Sequence, residues 1–450
     1  MGEIERVTVI GGGIAGSEAA WQLARHDIPV TLWEMRPSYM TPAHTTGALA
    51  ELVCSNSFKG TDPSSATGTL KAELATLRSL VLESAHSARV PAGAALAVDR
   101  QRFSSAVTGR LEADPLVEIV LDEAHSLPPG RVIVASGPLT SEPMERALSD
   151  LLGPDRLAFF DAAAPIVDGA TVDHSVAFAA SRYGKGEGAD YLNCPLDRER
   201  YDALVSALTH ARRVRPHEFE TRDLFQACQP VEEVARTGPD ALRFGALKPV
   251  GLTDPRTGER PWAVVQLRAE NAARTAYNLV GFQTNLTFSE QSRVFGLIPG
   301  LEHAEFLRYG VMHRNTFVDA PRLLDETLAV RSCPRIRLAG QLTGTEGYLE
   351  AAASGALAAL NTVAELRGQR PVTLPRTTAF GALVSYATDP KTEDYQPMHV
   401  NWGLVPPLEP PVRGKHTRYA AYARRAADDL AAWAGSRPDL DLAGEDATDE

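Results

Sequence analysis

Cysteine is scarce in this chain: Cys54, Cys194, Cys228 and Cys333 are the only four in 450 residues. They lie far apart, and no CxxC pair or Cys/His cluster occurs. That spacing speaks against a disulfide framework and a zinc site, so no metal is expected. Each thiol is then either a small buried hydrophobe or a reactive group. Long apolar runs are missing too. No stretch of about 18 apolar residues exists, so no membrane-spanning helix is expected. Met1-Gly-Glu-Ile-Glu-Arg6 carries no basic, apolar leader, which points to a cytoplasmic protein. Positive charge is in deficit: 45 Lys and Arg face 57 Asp and Glu, for a net charge of −12. Composition alone therefore speaks against a nucleic-acid partner. Two local clusters run the other way: Arg212, Arg213, Arg215 and His217, and Arg413, Lys415, His416, Arg418, Arg424 and Arg425. By composition each reads as a solvated face. No internal repeat is visible.

The chain is long enough for two or three domains, with an ordinary soluble balance of 44% apolar and 23% charged residues. Residues 6–10 read as a buried strand, Ile14 to Arg25 as a helix, and Pro29 to Glu34 as a second strand. Together they form a βαβ start. An irregular stretch runs from Met35 to about Gly68, and loops of that length in a compact domain are usually functional. The spacing of Leu70, Leu74, Leu77, Leu80 and Val81 predicts one helix. Residues 131–138 and 335–340 read as central parallel strands. Between them, residues from about 150 to 330 lose the βαβ rhythm and read as an insertion. An Ala-rich helix is expected from Tyr348 to Leu366. The predicted architecture is α/β: a Rossmann-like FAD-binding domain of the glutathione-reductase type with a smaller inserted α/β domain. Its expected parts are 1–148 and 329–436 for the FAD-binding domain, 149–328 for the inserted substrate domain, and 437–450 for an acidic disordered tail.

Gly11-Gly12-Gly13-Ile14-Ala15-Gly16 follows a strand and opens a helix, the context a dinucleotide fingerprint requires. Gly11 permits the tight turn, Gly13 lets a pyrophosphate approach the backbone, and Gly16 lets helix and strand pack closely. Glu34 ends the second strand, 18 residues after Gly16, where a carboxylate accepts bonds from ribose hydroxyls. A second Gly-rich turn, with Gly340, Gln341 and Gly347, opens the helix at Tyr348. In a flavoprotein it would face the isoalloxazine with the positive end of a helix; by itself it could equally be a packing turn. Cys54 and Cys228 have polar flanks, which raises the odds of reactive thiols. Cys194 and Cys333 precede prolines and read as structural.

Several stretches resemble the folate- and FAD-dependent tRNA (uracil-5-)-methyltransferases, the TrmFO family. They are Gly11 to Gly16, Ala50-Glu-Leu-Val-Cys-Ser-Asn-Ser57, Gly137-Pro-Leu-Thr-Ser141 and Phe160-Asp-Ala-Ala-Ala-Pro-Ile166. Ser181-Arg-Tyr183, Asp190-Tyr-Leu-Asn-Cys-Pro195, Ala227-Cys-Gln-Pro230 and Leu242 to Leu252 continue the series. Ala339-Gly-Gln-Leu-Thr-Gly-Thr-Glu-Gly-Tyr348 and Tyr395-Gln-Pro-Met-His-Val-Asn-Trp-Gly403 complete it. They span nearly the whole chain in order, with departures at Gln229 and Trp402. The larger flavoprotein called MnmG or GidA shares the dinucleotide start, but it has an extra C-terminal helical domain for which this chain is too short.

The resemblance implies methylation of C5 of a T-loop uridine, position 54 of tRNA. Carbon would come from 5,10-methylenetetrahydrofolate and electrons from NAD(P)H through FAD. It assigns Cys228 as the nucleophile at uracil C6 and Cys54 as a second catalytic thiol. Tyr348 becomes a proton-transfer group or a flavin or folate contact. It implies tRNA and folate as partners, no membrane, and no stable protein partner. An FAD-dependent oxidoreductase for a small molecule, or a GidA-like subunit for wobble-uridine modification, are the alternatives.

Overall fold

A run of β-branched residues starts the first strand of the computed structural model. It describes residues 5–41, 43–153, 156–162, 164–186, 188–214, 229–271, 273–310, 312–392 and 395–443. Val7, Val9 and Ile10 of β1 (Val7–Ile10) are buried, as in a strand covered on both faces. The helix α1 (Ile14–Ala24) leads to β2 (Val30–Trp33), which pairs parallel with β1. Next come β3 (Ser57–Gly60), α2 (Ala66–Thr76) and α3 (Leu80–Ser87). The single helix predicted through Leu70 and Val81 is thus two. Arg78 takes a left-handed φ of 54°, and Ser79 restarts the chain by accepting the Leu82 N–H at 3.2 Å. All five apolar residues remain buried across the break. β4 (Arg89–Val90), β5 (Ala95–Val98), α4 (Arg100–Glu112), β6 (Val117–Val120), β7 (Val132–Val134) and α5 (Glu142–Leu152) complete this half.

Strands then dominate. β8 (Arg156–Ala162), β9 (Ile166–Asp168), β10 (Phe178–Ala180) and β11 (Tyr191–Leu196) precede α6 (Arg198–His210), α7 (Val231–Arg236) and α8 (Ala241–Phe244). After them come β12 (Ala263–Ala269), β13 (Ala276–Leu279), α9 (Phe288–Phe295), β14 (Phe306–Arg308), β15 (Met312–Val318) and α10 (Ala320–Leu323). The chain returns through β16 (Ala329–Val330), β17 (Cys333–Leu338) and α11 (Tyr348–Leu366), then adds α12 (Ala379–Thr388) and α13 (Lys415–Gly435).

The first sheet has the order β16-β17-β7-β1-β2-β6 and is parallel except for β16. The second has the order β10-β11-β12-β13-β9-β14 and is antiparallel throughout. A two-stranded ribbon of β8 and β15 joins them along the chain, and β3-β5-β4 forms a small third sheet. Helices α1 and α11 start at the carboxyl ends of β1 and β17, where open parallel sheets bind ligands. The two helices touch closely: a Cβ on Gly355 would sit 2.1 Å from the Ala15 carbonyl oxygen.

The expected acidic tail is packed in its first part. Leu440 is fully buried, and Arg437 pairs with Asp439 at 2.8 Å. Asp441 pairs with Arg25 at 2.8 Å. Burial of one leucine and these charge pairs outweigh the acidic composition. Residues 444–450 lie outside the described residues.

Candidate active site

The Gly11–Gly16 turn is a cradle that side chains would fill. Gly11 has φ 102°, and a Cβ there would lie 2.5 Å from the Ala135 oxygen. A Cβ on Gly16 would lie 1.8 Å from the Gly11 oxygen, so only glycine lets α1 start this close to the sheet. Gly13 faces open space, with no atom within 4 Å of a Cβ. No side chain caps the start of α1, which leaves its first N–H groups and its positive end to an anion.

Glu34 is buried at the end of β2. Its carboxylate accepts the Gly12 N–H at 2.9 Å, the Arg36 N–H at 2.9 Å, and Arg36 Nε and Nη2 at 2.8 and 3.0 Å. Burial pushes its pKa up, but the Arg36 hydrogen bonds and charge, with the Gly12 N–H, bring it below the usual value. Four donors match what a carboxylate accepts, so any further hydroxyl would have to share Glu34 with Arg36. Sequence reasoning missed Arg36, although Glu34-Met-Arg36 held the signal.

One cavity of about 390 Å³ runs from this cradle to the second Gly-rich turn. Its wall includes Gly11, Gly13, Ile14, Ala15 and Glu34 at one end and Gly340, Gln341, Gly347 and Tyr348 at the other. Gly340 and Gly347 have φ of 74° and 120°. Ser354 Oγ accepts the Gly340 N–H at 2.6 Å, and Gln341 Nε2 donates to Glu346 at 2.7 Å. The first bond braces the turn against α11, and the second ties the turn to itself.

Cys54 and Ser55 also line the cavity. Their N–H groups donate to the Tyr348 hydroxyl oxygen at 3.0 and 3.2 Å, which ties the Cys54 segment to the start of α11. Burial, then the charge of Cys54, pushes the Tyr348 phenol up to about 12, against the pull of Arg100 and the two N–H groups. Three arginines clamp the same segment. Arg100 Nη2 donates to the Cys54 carbonyl at 3.2 Å and Arg308 to the Val53 carbonyl at 2.7 Å. Arg268 donates to Ser55 Oγ and Asn56 Oδ1, both at 2.7 Å. Glu270 pairs with Arg100. The three arginines come from α4, β12 and β14 and have no local sequence signal.

The glucose-inhibited division protein A family matches residues 6–370. A Moorella thermoacetica protein named methylenetetrahydrofolate–tRNA-(uracil-5-)-methyltransferase TrmFO is 55% identical over 423 residues, 94% of this chain and 97% of the relative. One of the same name from Thermus thermophilus is 51% identical over 438 residues, covering 97% and 98%. This chain belongs to the TrmFO family. Aquifex aeolicus GidA shares its fold, with TM-score 0.70 at 17% identity over 98% of this chain and 74% of that one. The fold is thus the Rossmann-like FAD-binding fold, and the Gly11–Gly16 cradle fits such a dinucleotide.

Of the TrmFO-family thiols, Cys228 falls at 215–228, outside the described residues. The segment just beyond it is anchored at the cavity. The Val231 N–H donates to the Gln283 carbonyl at 2.7 Å, and Gln283 lines the cavity. Buried Glu232 accepts from Thr284 Oγ1 at 2.9 Å and the Asn285 N–H at 2.7 Å. Cys194 is buried in β11, and burial, then Glu302, pushes its thiol up to about 12. Cys333 is half-buried. The first basic cluster is partly neutralised: Arg212 pairs with Glu290 at 3.3 Å and Arg213 with Glu233. Arg215 and His217 lie outside the described residues. On α13, Lys415, His416, Arg418 and Arg424 are exposed, and no described ion pair involves them.

Proposed function

We propose that this protein methylates C5 of the T-loop uridine at position 54 of tRNA. 5,10-Methylenetetrahydrofolate is the carbon donor, and NAD(P)H supplies electrons through FAD. The observation that carries this reading is the single cavity that joins the dinucleotide cradle to Cys54 and Tyr348. Gly11, Gly12, Gly13, Ile14, Ala15 and Gly16 would hold the pyrophosphate, Glu34 the ribose, and Gly340, Gln341 and Gly347 the isoalloxazine end. Bound there, FAD supplies the hydride that completes the methyl group.

Uracil C5 is a poor nucleophile. A thiolate adding to C6 forms an S–C6 bond and moves the electron pair toward the C4 oxygen, so that C5 can attack a methylene carbon. Cys228 takes this role. In the chain it precedes Val231 by three residues. Cys54 sits in the wall as the second thiol, as acid/base for the C5 proton or as guard of the intermediate. Tyr348 keeps its proton at neutral pH, as a proton donor must. The exposed cations of α13 meet tRNA phosphates, with Tyr419 beneath Lys415 Nζ at 5.5 Å and Arg418 at 6.0 Å. The protein works in the cytoplasm, with 1–148 and 329–436 as its flavin domain and 149–328 as its substrate domain.

The test is methyl transfer by purified protein with an unmodified tRNA transcript, NADPH and folate labelled in the methylene. Label in 5-methyluridine that depends on folate supports the reading. A flavin that NADPH reduces, without label in tRNA, overturns it in favour of an oxidoreductase for a small molecule.

A further inference from the structure

Lys59 is the one cationic side chain in the cavity wall near the start of α11 among the described residues. Its backbone has φ 63°, the left-handed region that side chains rarely adopt. Such conformations persist where the surroundings enforce them, and they gather at functional sites. The Lys59 side chain is 38% exposed, and its Nζ donates to Glu350 Oε1 at 3.0 Å. Glu350 lies in the first turn of α11 and is fully buried. Its Oε1 also accepts the Val400 N–H at 3.2 Å, while Oε2 has no hydrogen-bond partner among the described residues.

Both groups lie against Gly347, which lines the cavity. A Cβ on Gly347 would be 2.2 Å from Glu350 Oε2 and 3.0 Å from Lys59 Nζ. Ammonium, carboxylate and the positive end of a 19-residue helix therefore converge at one place in the cavity wall. A buried carboxylate with an idle oxygen is costly to keep. The helix end and Lys59 offset that cost, and in return Glu350 anchors the ammonium. The arrangement is asymmetric, with the cation in the cavity wall and the anion buried behind it.

We infer that Lys59, anchored by Glu350 against Gly347, is the cation that favours the reduced, anionic state of the flavin over the oxidised one. The inference rests on the proposed reading that this end of the cavity holds the isoalloxazine. A hydride from NAD(P)H carries two electrons and one proton, so it leaves one negative charge on the ring system while the nicotinamide is oxidised. A nearby cation lowers the free energy of that state, and a nearby anion raises it.

The test is a spectroscopic redox titration of the flavin-loaded protein, with flavin content measured alongside. Lys59→Met should lower the two-electron midpoint potential, with the reduction equilibrium falling about tenfold, or about 30 mV. Glu350→Gln should raise it, because the ammonium then lacks its counter-charge. Lys59→Arg should stay near the parent protein. Opposite shifts in the first two variants support the inference, since a merely structural role would not give opposite signs. Unchanged potentials, or shifts of the same sign at full flavin content, overturn it. If Glu350→Gln does not fold, the contrast between Lys59→Met and Lys59→Arg decides alone. A parent protein purified without flavin would instead remove the functional reading beneath it.

Discussion

Tyr348 Oη receives two backbone N–H groups, from Cys54 and Ser55, so its own proton can be offered elsewhere. Removing the hydroxyl in Tyr348→Phe should keep flavin content while methyl transfer falls about 100-fold or more, the usual worth of a placed acid or base. Single-turnover label transfer at saturating folate measures this. Cys228→Ala should abolish methyl transfer and leave reduction of bound flavin by NADPH intact. Residual transfer above a few per cent would remove Cys228 as nucleophile. These residue types and their flanks were visible in the chain, but their meeting was not. Cys54 and Tyr348 are 294 positions apart, and the arginines that clamp the Cys54 segment come from three separate stretches.

At the scale of elements, α2 and α12 are joined by one buried carboxylate. Glu73 accepts the Ala379 and Phe380 N–H groups at 2.6 and 2.9 Å. Burial pushes its pKa up to about 7, despite those two bonds. A raised pKa means that the folded state favours the protonated form. The contribution to stability is thus complete below about pH 4.5 and is lost as pH rises through about 7. Unfolding free energies from denaturant titrations between pH 5 and 8 should fall more for the parent protein than for Glu73→Gln, by an amount on the order of a few kcal/mol. The contact of α1 with α11 makes a second element-scale prediction. Gly355→Ala places a methyl 2.1 Å from the Ala15 oxygen and should cost about 1–3 kcal/mol with partial loss of flavin. Thermal unfolding and the flavin-to-protein ratio measure both effects. The βαβ start and the helix Tyr348–Leu366 were legible because their signals are local. The break at Arg78 was not, because apolar spacing continues through it.

At the scale of the whole molecule, a chain of net charge −12 must present cations locally to reach a polyanion. Charge reversal at Lys415 and Arg418 should weaken tRNA binding and flatten its dependence on salt, by about 0.9 in log–log slope for each phosphate no longer neutralised. Filter binding across a range of salt concentrations reads both. An unchanged slope would place the tRNA-binding face elsewhere. The same change should leave NADPH oxidation by the bound flavin unaffected, since no residue of α13 lines the cavity.

The dinucleotide cradle, the parallel strands and the kinship to the TrmFO family were determined by the sequence alone. The cradle and the strands depend on residues close together in the chain, where glycine geometry and the run of apolar residues speak directly, and the kinship rests on short motifs that follow one another in order along it. Tertiary structure alone decided that Glu350 lies behind Lys59. It also brought three arginines from α4, β12 and β14 onto the Cys54 segment. Burial and charge pairing between distant stretches arise only once those stretches are folded together, and no local pattern encodes which side chains will meet there.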